Sequence, residues 1–221
     1  MLGNLFNNPI AFVAWIIALV TAISIHEFSH AFMADRLGDP TPRLQGRLTL
    51  NPLAHLDPMG TLLLLIARFG WGKPVMFDPF NLRNPRRDAA LISLAGPVSN
   101  ILLAGLLSLI LRVLLYVSVP SNVFLYILFG LIQPAIVMNV ILAIFNLVPI
   151  HPLDGFKIVG GILPEDYARQ WYELQPYGMI FLLFLIFPFF GSVAPIHQFI
   201  SPIINALLVL FLPGSGGNGT I

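Results

Sequence analysis

The stretch PIAFVAWIIALVTAISIHEFSHAFMADRLGDP, residues 9–40, decides how the rest of the chain is read. From Ile10 to Ile25 it carries no charge and is almost wholly apolar. Pro9 suits a helix start, and Gly38-Asp39-Pro40 suits a stop. At about 1.5 Å per residue, a helix from Pro9 to Leu37 is longer than the ~30 Å hydrocarbon core of a bilayer. It reads as a membrane-spanning helix whose charged last turns, Asp35 and Arg36, emerge into water.

Composition agrees along the whole chain. Of 221 residues, 57% are hydrophobic and 10% charged, where soluble domains run about 45–50% and about 25%; the mean hydropathy is +0.86. The reading is an all-α polytopic membrane protein. A net charge of +1 leaves no basic footprint for nucleic acid. With no cysteine, disulfides and thiolate metal sites are excluded, so any metal must be held by histidine and carboxylate. No Lys or Arg precedes Arg36, so the first apolar run lacks the basic region of a cleavable signal peptide and is expected to stay in the mature protein.

Beyond Thr41, Arg-Leu-Gln-Gly-Arg-Leu-Thr-Leu alternates as a half-buried strand does. Thr61 to Phe69 is apolar but about half a span long, and is expected to be a short re-entrant or interfacial piece. Val75 to Phe77 reads as another extended segment between prolines. Strong spans follow from about Asp88 to Val117 and from about Val123 to Val148. In the first, Ser93, Pro97, Asn100, Ala104 and Ser108 put small and polar residues on one packing face. Tyr177 to Phe190 and Pro195 to Leu212 read as a closing helical hairpin. The expected architecture is a bundle of about five to six transmembrane helices with a re-entrant segment and small membrane-associated β-strands. It forms one membrane-embedded domain over residues 1–213, followed by a flexible Gly-rich tail over 214–221.

Within the first helix stands His26-Glu27-Phe28-Ser29-His30. At about 100° per residue, His26 and His30 stand about 40° apart and Glu27 about 60° from His30, so all three share a face. Two such imidazoles can bind one zinc ion, and the carboxylate beside them can take a proton from the attacking water. A carboxylate deep in a membrane helix costs about 2.5–3.5 kcal/mol even on the lenient insertion scale. With no basic residue in the preceding run, a metal supplies the compensating charge.

A catalytic zinc usually takes three protein ligands. The best candidate for the third is Asp154, in Asn146-Leu-Val-Pro-Ile-His-Pro-Leu-Asp154-Gly155, although an Asp-Gly turn at a membrane exit is its ordinary alternative. His26 and Asp154 both lie near the C-terminal ends of their spans. They can meet only if those spans run the same way, which one crossing between them, Asp88 to Val117, achieves. Eight of the eleven basic residues lie between Arg36 and Arg87. They then fall on one side, which is cytoplasmic by the positive-inside rule.

His26-Glu-Phe-Ser-His30, Ala95-Gly-Pro-Val-Ser-Asn100 and the run from Asn146 to Gly155 resemble the site-2 protease family of intramembrane zinc metalloproteases. Asn51-Pro-Leu-Ala-His-Leu-Asp-Pro58 extends the likeness over most of the chain. The resemblance implies hydrolysis of peptide bonds in transmembrane or membrane-associated proteins. It implies one Zn2+ per chain on His26, His30 and Asp154, with Glu27 as general base. It gives Asn100 and Asn146 supporting or substrate-holding roles, and places the protein in a bacterial or archaeal cell membrane among lipids. Asn139 is read as a helix-packing amide, His55 and His197 as structural, and His151 as an interfacial histidine close enough to tune the metal. Two rivals remain: a catalytically silent zinc-binding membrane protein, which has no need of Glu27, and a metal transporter, which needs polar residues through the full membrane depth.

Overall fold

The structure is a computed structural model and describes residues 8–60, 72–117, 123–189 and 193–213. Helix α1 (Pro9–Arg36) is opened by Asn8, whose side-chain oxygen accepts the Ala11 N–H at 3.0 Å, with proline at the first helical position. Ala14, Ala18, Ala22, His26, His30 and Ala34 are all buried and recur every fourth residue. That spacing overshoots one turn by about 40°, so the buried stripe winds slowly round α1. Alanine side chains let a neighbouring backbone come close, and the two histidines lie in the same seam.

The neighbours are α3 (Pro85–Val117) and α4 (Val123–Asn146). His30 meets Ile92 and His26 meets Asn100, while Asn100 also reaches Ala22, so α3 runs antiparallel to α1. Ser93, Pro97, Asn100, Ala104 and Ser108 form the buried face of α3, as their spacing predicts. Further from the histidines, Leu111 of α3 packs with Ile132, Ile136 and Val140 of α4 and with Ile200 and Leu208 of α8 (Pro195–Phe211). The last turn of α8 is held by α3: Ser108 Oγ donates to the Phe211 carbonyl at 2.5 Å, and Arg112 Nη2 donates to the Leu210 carbonyl at 2.7 Å. These satisfy carbonyls that a helix end leaves without intrahelical partners.

Among the described residues, three helices, α1, α3 and α4, are long and apolar enough to cross a membrane. Among the described residues that is three of the expected five to six. In the closing hairpin, α7 (Gly178–Ile186) has nine residues, about 13 Å at 1.5 Å each. It stops where Phe187, forced towards extended backbone by Pro188, takes φ −95° and ψ 138°. The second arm, α8, has 17 residues.

The expected β-strands are also absent among the described residues, where the one bridge outside helices pairs Leu56 with Gly72. Thr41–Leu44 forms a helical turn, α2, because Asp39 Oδ1 accepts the Thr41 N–H and Pro42 sits in the turn. Gly46, at φ +69°, closes it with left-handed backbone. Past this bridge the backbone donors that would build a ladder go elsewhere. The Lys73 N–H makes a bond of the bridge, to the His55 carbonyl, but beyond it the Val75 N–H goes to the Glu27 side chain and that of Asp78 to Asp39. Residues 61–69, expected to be re-entrant, and the tail 214–221 lie outside the described residues.

Asp39 secures this segment to the end of α1. It is fully buried, accepting from the Thr41 N–H and hydroxyl, Asn81 Nδ2 and the Asp78 N–H at 2.6–3.0 Å. Burial pushes its carboxyl up, but these donors outweigh burial and hold it below the usual carboxylate range.

Candidate metal centre

Following α4 the chain turns back through residues 147–153 and enters α5 (Asp154–Ile162), packed against α3. Asp154 is the first residue of α5. A Cβ on Gly155 would collide with the Leu147 and Val148 carbonyls, so glycine there lets the turn fold back onto the end of α4. The fold thus delivers Asp154 to the histidines. Its Oδ2 lies 3.0 Å from His26 Nε2 and 3.3 Å from His30 Nε2.

The other ring nitrogens are committed. His26 Nδ1 faces Asn100 Oδ1 at 2.6 Å, and His30 Nδ1 faces the Ile92 carbonyl at 2.7 Å. The Asn100 amide cannot be reversed cheaply, because its Nδ2 donates to the Ala22 carbonyl at 3.0 Å and to Asn139 Oδ1 at 2.8 Å. Asn139 is in turn oriented by donating to Ala135 O. Both imidazoles therefore carry a proton on Nδ1, where the partners accept only, and their Nε2 atoms converge with a carboxylate. Two Nε2 atoms facing a carboxylate need a proton or a metal cation between them. The residues fit a divalent metal: two imidazoles and a carboxylate, with ligand atoms within 4.8 Å of one another, are the donor set zinc takes in hydrolases.

Gly96 makes the seam close enough. A Cβ there would sit 2.6 Å from His30 Nε2 and 2.7 Å from His26 Cε1. Glu27 lies beside the pair, and its Oε2 accepts the Val75 N–H at 3.0 Å. His26, Glu27, His30, Asp154 and Asn146 line a common cavity of about 120 Å3, with Val75, Phe77 and Lys157 among the other walls.

Burial opposes ionisation of Asp154, but the imidazoles facing it outweigh burial, and its carboxyl is held well below the usual range. Burial holds the Lys157 ammonium below its usual range, and Asp154 and Glu27 offset only part of that. His151, lowered by burial and by Lys157, stands apart with its ring edge-on to Phe156 at 5.6 Å. His55 is buried against the Thr49 carbonyl and His197 is exposed, both away from the cavity. Asn146 lines the cavity, though its amide nitrogen bonds within its own helix to Leu142 O.

Asn139 joins α4 to α3 through its amide, as expected, and the partner it meets, Asn100, is the one that faces His26. Lys157, Gly96 and the Val75 N–H were not singled out by the sequence. Lys157 follows Asp154 by one helical turn, a spacing that flags it only once Asp154 is known to be in the site. A backbone N–H leaves no trace in residue type.

The chain is 38% identical over 180 residues to YwhC of Bacillus subtilis, provisionally named a zinc metalloprotease, covering 80% of this chain and 81% of that protein. It is 32% identical over 180 residues to Rip2 of Mycobacterium tuberculosis, named in the same way, covering 79% and 66%. A zinc metalloprotease of Methanocaldococcus jannaschii is 25% identical over 165 residues, covering 75% and 39%. No family model matches the chain. No solved structure matches it.

Proposed function

The chain belongs to the site-2 protease family of zinc metalloproteases, and from that premise we propose that it is an intramembrane endopeptidase acting on transmembrane or membrane-associated proteins. His26, His30 and Asp154 hold one zinc ion, and Glu27 is the general base. The observation that carries this reading is the convergence of two Nε2 atoms and Asp154 Oδ2, with both Nδ1 atoms committed elsewhere.

Zinc, when bound, supplies Lewis-acid polarisation of a carbonyl and makes water a nucleophile near neutral pH. The rest is work for the chain's own side chains. Asn100 and the Ile92 carbonyl hold the imidazoles in the ligating tautomer and fix their ring planes. Glu27 takes a proton from the attacking water and returns it to the departing amine nitrogen. The Val75 N–H orients that carboxylate.

A substrate helix keeps its carbonyls in hydrogen bonds, so a segment must unwind before cleavage. The 120 Å3 cavity between α1, α3 and the 73–78 segment suits a short extended stretch and not a whole helix. The cavity lies towards the C-terminal part of α1 and the N-terminal part of α3, and the chain from one to the other carries Arg36, Arg43, Arg47, Lys73, Arg83, Arg86 and Arg87. That cluster supports a site at the cytoplasmic face of a bacterial or archaeal membrane.

The test compares wild type with Glu27→Gln for zinc content and for cleavage of model transmembrane peptides in detergent. Equal zinc with cleavage reduced about 10^3-fold or more is expected, the scale of a lost general base. Zinc binding without cleavage by wild type across a broad panel would leave a silent zinc protein. Zinc uptake into vesicles that His26→Ala abolishes would make it a transporter.

A further inference from the structure

Lys157 is a cation inside a cavity that already holds two carboxylates, yet it forms no ion pair with Glu27 or Asp154. Its Nζ instead stands over the Phe77 ring, 4.9 Å from the centroid, and Phe77 lines the same cavity. A half-buried lysine near carboxylates in a low-dielectric setting would ordinarily close onto one of them. Held on a ring face, which accepts no strong hydrogen bond, the ammonium keeps its donors for whatever enters the cavity. It is on one face of α5 with Asp154, one turn on, so the same element sets both groups.

We propose that Lys157 is a further catalytic residue of this site, donating to the oxygen of the scissile peptide group as that oxygen becomes anionic. The proposal rests on the hydrolytic reading above. In the first step the water oxygen bonds to the carbonyl carbon, its proton passes to Glu27, and the carbonyl π pair moves onto oxygen. In the second that pair reforms C=O, the C–N bond breaks, and the nitrogen takes the proton from Glu27. Total charge does not change, but one negative charge moves from Glu27 to the substrate oxygen and back. An ammonium paired with Glu27 at the start would stabilise the resting state and raise the barrier. One held on Phe77, unspent, strengthens its interaction only when the oxyanion forms, which is the condition for lowering a barrier.

The experiment uses the full chain with zinc in detergent, comparing wild type, Lys157→Met and Lys157→Arg. It reads kcat and KM on a model transmembrane peptide, zinc content, and the Kd of a phosphinic peptide whose anionic tetrahedral phosphorus mimics the oxyanion. The uncleaved peptide's Kd is measured with each variant combined with Glu27→Gln. Lys157→Met is expected to lower kcat by about 10^2-fold and weaken the phosphinic peptide by a similar factor, the scale of one oxyanion donor. Zinc content stays at one per chain, KM and plain-peptide Kd stay within about threefold, and Lys157→Arg recovers most of kcat.

Unchanged kcat, equal weakening of both peptides, or a loss explained by lost zinc would each overturn the proposal. Wild type that binds zinc but neither cleaves nor binds the phosphinic peptide would overturn the hydrolytic reading, and this assignment with it.

Discussion

At one end of α3, Asn100 and the Ile92 carbonyl face the histidines of α1; at the other, Ser108 and Arg112 face the last turn of α8. Both are polar contacts set between apolar helices. At the distal end every group named is matched, since hydroxyl and guanidinium donors meet backbone carbonyls. Near the histidines the matching is displaced outwards. The Nδ1 atoms are satisfied by α3, and that satisfaction turns two Nε2 atoms onto a carboxylate. One end is complete with the chain's own atoms, while the other presents a donor set that a metal cation would complete. The difference lies in what the side chains meet, because α3 presents donors to the α8 carbonyls but acceptors to the two imidazoles.

The contrast breaks most sharply at Gly96. A methyl group there would sit 2.6 Å from His30 Nε2, so Gly96→Ala is expected to expel the imidazoles from the seam. Zinc content by metal analysis should fall to background and cleavage with it, while the chain stays folded by circular dichroism. Retained zinc would show that the seam can widen and that backbone proximity is not what holds the site.

The next effect is set by tautomer. Asn100→Leu removes the acceptor for His26 Nδ1, and the ring is then free to turn and to carry its proton on Nε2. Zinc affinity measured by competition with a chelator should drop about 10- to 100-fold, the usual cost of losing such a partner. Asn139→Leu should act in the same direction but more weakly, since Asn100 keeps its bond to Ala22 O. An Asn100→Leu protein that binds zinc like wild type would mean that Asn100 serves packing alone.

The smallest change belongs to the distal end. Ser108→Ala leaves the Phe211 carbonyl without its donor and is expected to cost about 0.5–1 kcal/mol in thermal stability, the scale of one hydrogen bond between membrane helices. Zinc content and kcat should not change. A fall in kcat here would couple α8 to the cavity and erase the distinction between the two ends.

Much of the site was legible because part of it is local. His26, Glu27 and His30 share a face through helical periodicity, and periodicity is a property of the sequence. Asp154, 128 residues beyond His26, came within reach through an argument about span direction and through the family resemblance, and the antiparallel α3 agrees with the first. The strands are absent among the described residues because alternation describes side chains, whereas a ladder needs free backbone donors, and past the one bridge those of Val75 and Asp78 are taken by the Glu27 and Asp39 carboxylates. The two arms of the closing hairpin pack together but are short, 9 and 17 residues, because apolar composition does not register where Pro188 stops α7.

Taken alone, the sequence determined a membrane chain, a histidine pair with its neighbouring carboxylate, and small residues spaced to bring helices together. These follow from composition and from the helical repeat, which act over a few residues at most. Only the tertiary structure decided which nitrogens face inwards, that Lys157 leans on Phe77 and away from a carboxylate, and that a backbone N–H from Val75 steers Glu27. Those outcomes depend on distances between atoms far apart along the chain, and no local pattern encodes a distance across a bundle.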